Sequence, residues 1–111
     1  MATTTMKQLG QAAAGMTVST VYTVPAASIS IIKEMILCNT SATNASVTVY
    51  FVASSDTPAV KNTILSSSPL LAGETQIISF STFLNAGMSV QILCDVADVV
   101  GVTMSGVEMS Q

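Results

Sequence analysis

The 111-residue sequence contains no histidine, no tryptophan and no arginine, and only 8% of its residues are charged. Histidine is the commonest general base and the commonest metal ligand, so its absence removes the usual acid–base and metal chemistries. Cys38 and Cys94 stand alone, without the paired spacing of a zinc or redox site and without a histidine to activate them. No glycine-rich phosphate-binding run is present. Neither catalysis nor a cofactor is expected. The only basic residues are Lys7, Lys33 and Lys61, widely spaced in a chain of net charge −3. Nucleic-acid binding needs several Lys or Arg on one face, and an acidic membrane surface needs a basic cluster, so neither partner is expected. No apolar run approaches the ~18–20 residues of a membrane span. The polar start, Met1 to Gln8, lacks the order of a secretory signal, which predicts use without export by that route.

What is present is apolar and hydroxylated. Half of the residues are hydrophobic, and Ser and Thr make up about a quarter of the chain. An ordinary soluble domain carries about 25% charged residues. Hydroxyls desolvate at far lower cost than ammonium or carboxylate groups. A surface poor in charge and rich in Thr, Ser, Ala and Val suits permanent burial against other protein chains; the alternative is an unusually neutral monomer.

The length fits one domain with one core. Residues 1–14 show no β period and read as an N-terminal arm, extended or with one helical turn, lying on a neighbour or folding back. Residues 15–111 read as the domain. Strand patterns, rich in β-branched residues, cover 16–24, 28–39, 45–53, 60–65, 75–80, 88–96 and 99–109. In the clearest, Val47, Val49, Phe51 and Ala53 share one face while Ser46, Thr48, Tyr50 and Val52 share the other. Ile29 and Ile31 lie on the opposite parity from Glu34, Ile36 and Cys38, which predicts a bulge or change of face near Ile32–Lys33. Gly106 predicts a bulge or close approach, because Val107 and Met109 have the other parity from Val100, Val102 and Met104. Ser66 to Pro69 is expected to break the weaker strand before it. Residues 81–86 are expected to be irregular or a single helical turn carrying Phe83 and Leu84. The pattern is all-β: an antiparallel sandwich or jelly roll of six to eight short strands.

Several local features have two readings. Asp95 and Asp98 could act as paired carboxylates, but their place between two strands favours a turn in which Asp side chains bond local amides. Lys33 and Glu34 point to opposite faces of a strand and are not expected to pair with each other. Asn39-Thr40-Ser41 and Asn44-Ala45-Ser46 match the glycosylation pattern but read better as turn residues. Two buried thiols are favoured over a disulfide. Tyr22 and Tyr50 could serve a sugar site, although core or interface packing suits them better. Met104 and Met109 suit a subunit interface, since methionine adapts to irregular apolar surfaces; ordinary core filling is the alternative. The candidate interface residues are Met6, Lys7, Gln8 and Leu9 of the arm, with Tyr22, Tyr50, Met104 and Met109.

The layout of the arm, Val21-Tyr22-Thr23-Val24-Pro25-Ala26, Ile31 to Ser41, and the ending Val102 to Met109 resembles the small β-sandwich virion structural proteins of tailed bacteriophages. The resemblance implies a non-enzymatic capsid decoration or cement subunit, made in the host cytoplasm and resident in the virion. It also implies contact with the major capsid protein or other virion proteins, and a homo-oligomer with a trimer at threefold positions as the leading expectation. A tail, neck or fibre-associated subunit is one alternative, and a receptor- or glycan-binding module is another.

Overall fold

The computed structural model describes residues 3–110; Met1 and Ala2 of the expected arm, and Gln111, lie outside the described residues. Eight strands form: β1 (Thr3–Ala14), β2 (Ser19–Thr23), β3 (Ser28–Asn39), β4 (Ala45–Val52), β5 (Thr63–Leu70), β6 (Thr75–Leu84), β7 (Ser89–Cys94) and β8 (Val100–Ser110). A single 3-10 turn, Val60–Asn62, precedes β5. The strands make two antiparallel four-stranded sheets, a first of order β1-β8-β3-β6 and a second of order β2-β7-β4-β5. Successive strands pass from one sheet to the other except at β4-β5, which is the double-sheet jelly roll.

Period-two patterning explains the assembly. In β4, Ala45, Val47, Val49 and Phe51 turn inward, while β7 buries Val90, Ile92 and Cys94 and β8 buries Val100, Val102 and Met104. They meet Ile32, Met35 and Leu37 of β3, Leu70 of β5 and Leu84 of β6 in one core cluster between the sheets. Phe51 and Phe80 add a tilted aromatic contact at 5.7 Å between ring centroids. Burying side chains of this size removes apolar area worth about 1.5–3 kcal/mol each.

The expected phase switch in β3 is present. Ile32 and Glu34 pair with adjacent residues of β8, Gly106 and Ser105, leaving Lys33 as the extra residue. The buried set accordingly changes from Ser28, Ser30 and Ile32 to Met35, Leu37 and Asn39. The bulge runs on through its neighbours: β1 has an extra residue at Leu9, and β6 carries an extra residue between Ser79 and Thr82. Gly106 lies at this level as a close approach. A Cβ there would collide with the Ile31 carbonyl oxygen and crowd Leu9. Strand β8 itself keeps its register across Gly106, so Val107 and Met109 continue its outer face.

Of the two readings of the N-terminal residues, folding back describes Thr3–Ala14, a strand paired along its length with β8. Three expectations are corrected. The first β pattern shortens to Ser19–Thr23, with Met16 and Val18 exposed before it. Strand β5 runs through Ser66–Pro69, because β5 is an edge and Pro69 can withhold an N–H from solvent at no cost to the ladder. Residues 81–84 continue β6, since Thr82, Phe83 and Leu84 pair with Ile32, Ile31 and Ser30.

Candidate interaction surfaces

The outer face of the first sheet is apolar along a row that crosses all four strands. Ile31 of β3 pairs with Phe83 of β6 on one side and Val107 of β8 on the other, and Val107 pairs with Met6 of β1. Ile29 and Met109 form the adjacent pair. Beyond the bulge, Ile77, Ile36 and Thr103 align, and the Gln11 amide donates to the Thr103 hydroxyl at 3.1 Å. Nothing among the described residues covers this face: Met6 is 84%, Phe83 66% and Ile77 61% exposed.

The outer face of the second sheet is polar at the corresponding level. Tyr50 of β4, Gln91 of β7 and Thr20 of β2 align across it. Next to them an open depression of about 260 Å³ is lined by Met16, Ser46, Thr48, Ser67, Leu93 and Asp95. Its polar groups serve the fold: the Ser67 amide donates to the Thr48 hydroxyl, and the Ser46 amide donates to the Asp95 carboxylate at 2.8 Å.

Between the sheets at one end lies a four-residue network. The Tyr22 hydroxyl donates to Glu108 Oε2 at 2.6 Å, and Lys7 Nζ reaches Glu108 Oε1 at 3.2 Å. Tyr22 has one proton to give, so Ser30 Oγ, 2.7 Å away, donates to the tyrosine oxygen. Burial, then the bond to Glu108, pushes the Tyr22 hydroxyl up to about 12. The Tyr22 hydrogen bond, then Lys7, holds the Glu108 carboxyl below the usual carboxylate range.

The sequence-expected interface residues divide. Met6 and Met109 lie on the outer face of the first sheet. Gln8, exposed, pairs with Ser105 on the same sheet, and Tyr50 lies half-buried on the outer face of the second. Lys7 is exposed but engaged by Glu108. Leu9, Tyr22 and Met104 are buried inside the chain, Met104 completely, and are therefore corrected from interface to core. Ile31, Ile36, Ile77, Phe83 and Val107 were missed. Their signal was apolar residues on both parities of one strand, as in Ile77-Ile78 and Ile31-Ile32, which marks a strand with apolar neighbours on both faces.

The remaining features serve turns. Asn39 is fully buried: its amide nitrogen donates to the Thr43 and Leu70 carbonyls, and its oxygen accepts from the Ser41 amide and hydroxyl. Asn44 accepts from the Ala72 amide. Asp98 takes a left-handed turn conformation, φ 57°. Lys33 bonds the Ser81 hydroxyl rather than Glu34. Both cysteines are free; Cys94 is in the core, whereas Cys38 is half-buried on the outer face of the first sheet, a correction to the expectation of two buried thiols. Among the described residues no three His, Cys, Asp or Glu side chains come together as a metal site. No helix among them is long and apolar enough to cross a membrane.

No family model matches the chain, and no curated protein matches it. Solved structures do. A Bacillus endospore appendage protein, described as forming disulfide-linked pili, aligns over 99% of this chain and 90% of its own at TM-score 0.61 and 17% identity. The Gx strain structure of infectious bursal disease virus aligns over 97% of this chain at TM-score 0.55 and 12% identity. The T13 particle of that virus aligns over 98% at TM-score 0.50 and 10% identity. The chain spans about a third of the length of the virus chains. At these identities the likeness establishes a shared all-β fold.

Proposed function

We propose that this protein is a non-enzymatic structural subunit of a multi-subunit particle, and that the outer face of its first sheet is the surface it buries there. The observation that carries this reading is the apolar row Phe83–Ile31–Val107–Met6 across four strands, its ends Phe83 and Met6 exposed and Ile31 and Val107 half-buried between them. Contiguous exposed apolar surface marks interaction sites in soluble proteins. The virus and pilus structures that share the fold are themselves assemblies, which supports the same direction.

In its finer form the reading is a decoration or cement subunit on a tailed-phage head, docked through this face on the major capsid protein, with three copies grouped at threefold positions. A tail or fibre-associated subunit is the second reading, favoured by the pilus structure that this chain nearly matches in length. A cryo-EM map of particles carrying the chain tests both. Density at threefold positions of the head, with the first sheet facing the shell, supports the decoration reading. Density confined to tail or fibre replaces it with the second.

A further inference from the structure

A β-sheet edge offers unpaired N–H and C=O groups, and proteins usually blunt such edges. Three of the four edges here are blunted. Strand β1 carries Lys7 and the Leu9 bulge, β2 has five residues, and β5 carries Pro69 with Ser67 at φ 42°. Strand β6 differs: ten residues with no charge and no proline, two of them the exposed Ile77 and Phe83.

The outer face of β6 is also self-complementary about Phe80. Ser79 mirrors Ser81 and Ile77 mirrors Phe83, so hydroxyl meets hydroxyl and apolar meets apolar there, whereas the inward-facing pairs Ile78–Thr82 and Gln76–Leu84 are mixed. We infer that β6 pairs antiparallel with β6 of a second copy across a twofold axis at Phe80. Such a contact is isologous: each Ile77 lies opposite the partner copy's Phe83, twice over. The β6 bulge between Ser79 and Thr82 sits at the centre of this symmetry. It bends both copies alike and leaves the two flanking half-ladders to pair. The outcome is one eight-stranded sheet in which the apolar rows of both copies join. This contact goes beyond the particle reading, needs no particle to form, and stands or falls without it.

Sedimentation velocity of the full chain across micromolar concentrations tests the contact. A dimer is expected. Ile77→Lys and Phe83→Glu, both at exposed positions, should each weaken self-association roughly a hundredfold, because a charge then faces an apolar residue with no partner. An equimolar mixture of the two variants should dimerise again, since the introduced charges meet in the 77/83 register. Met6→Lys, at the far edge of the same sheet, should leave the dimer unchanged. A monomeric wild type, variants that still dimerise, a mixture that stays monomeric, or open polymers abolished by Met6→Lys would each overturn the inference.

Discussion

The outer face of the first sheet carries Phe83, Ile31, Val107 and Met6 in one row, whereas the outer face of the second carries Tyr50, Gln91 and Thr20 across its middle. Both faces belong to one small jelly roll, and both carry charge, Lys33 and Glu34 beside the apolar row of the first and Asp95 on the second, so the amount of charge does not separate them. What differs is the second parity of the strands. Strand β4 turns Ser46, Thr48 and Tyr50 outward and β7 turns Ser89 and Gln91 outward, with Val52 and Leu93 the apolar exceptions. Strands β3 and β6 are apolar on both parities, and half of that apolar surface is left open.

Breaking the comparison begins at its centre. Ile31→Asp should reduce incorporation into the assembled particle by at least about a hundredfold, because it buries an unpaired charge in the middle of the apolar row. Thr48→Asp, on the polar face, should change incorporation by less than about threefold. A co-sedimentation assay with particles measures both, and thermal melting should show both variants folded. Met104 sharpens the contrast between core and face: Met104→Ala should lower unfolding free energy by about 2–5 kcal/mol in urea denaturation. A methionine serving an interface would show little loss in the isolated chain. Asn39→Ala should cost about 2–3 kcal/mol in the same measurement, since it strands buried partners at the β3-β4 turn, including the Leu70 carbonyl.

The smallest effect concerns pH. Glu108 is held below its ordinary range in the folded state, so its contribution is present above the unfolded glutamate value and lost as pH falls through the lowered native value. Glu108→Gln should therefore flatten the acid limb of stability, by less than about 1 kcal/mol at this largely solvent-screened position. Tyr22, raised to about 12, acts in the opposite direction: its contribution is present below the unfolded tyrosine value of about 10 and is lost as pH rises towards 12. Urea midpoints at several pH values read both limbs.

Much of the fold was legible in the residues. Ser28–Asn39 stands at its expected bounds, the bulge falls at Lys33, and β4 alternates as its spacing requires. The illegible parts are those decided by partners distant in sequence. Strand β1 has few large apolar residues and a bulge at Leu9 that blurs its period, so its identity as a strand comes from pairing with β8 about a hundred residues away. The C-terminal part of β6 and the passage of β5 through Pro69 likewise depend on a neighbouring strand and an open edge. For the surface, the composition pointed to assembly, but Met104 and Tyr22 stayed divided between core and interface because an isolated methionine or tyrosine does not say which face of its strand is covered.

The central claim, burial of the first sheet's outer face on assembly, has a built-in probe. Met6 lies on that face at 84% exposure, and Met16 lines the depression on the second sheet at 63%. Methionine oxidation by peroxide, read by mass spectrometry in free and assembled chains, compares the two directly. The account predicts that both oxidise in the free chain and that assembly protects Met6 while leaving Met16 reactive. Protection of Met16 with Met6 still reactive would contradict it and transfer the interface to the second sheet.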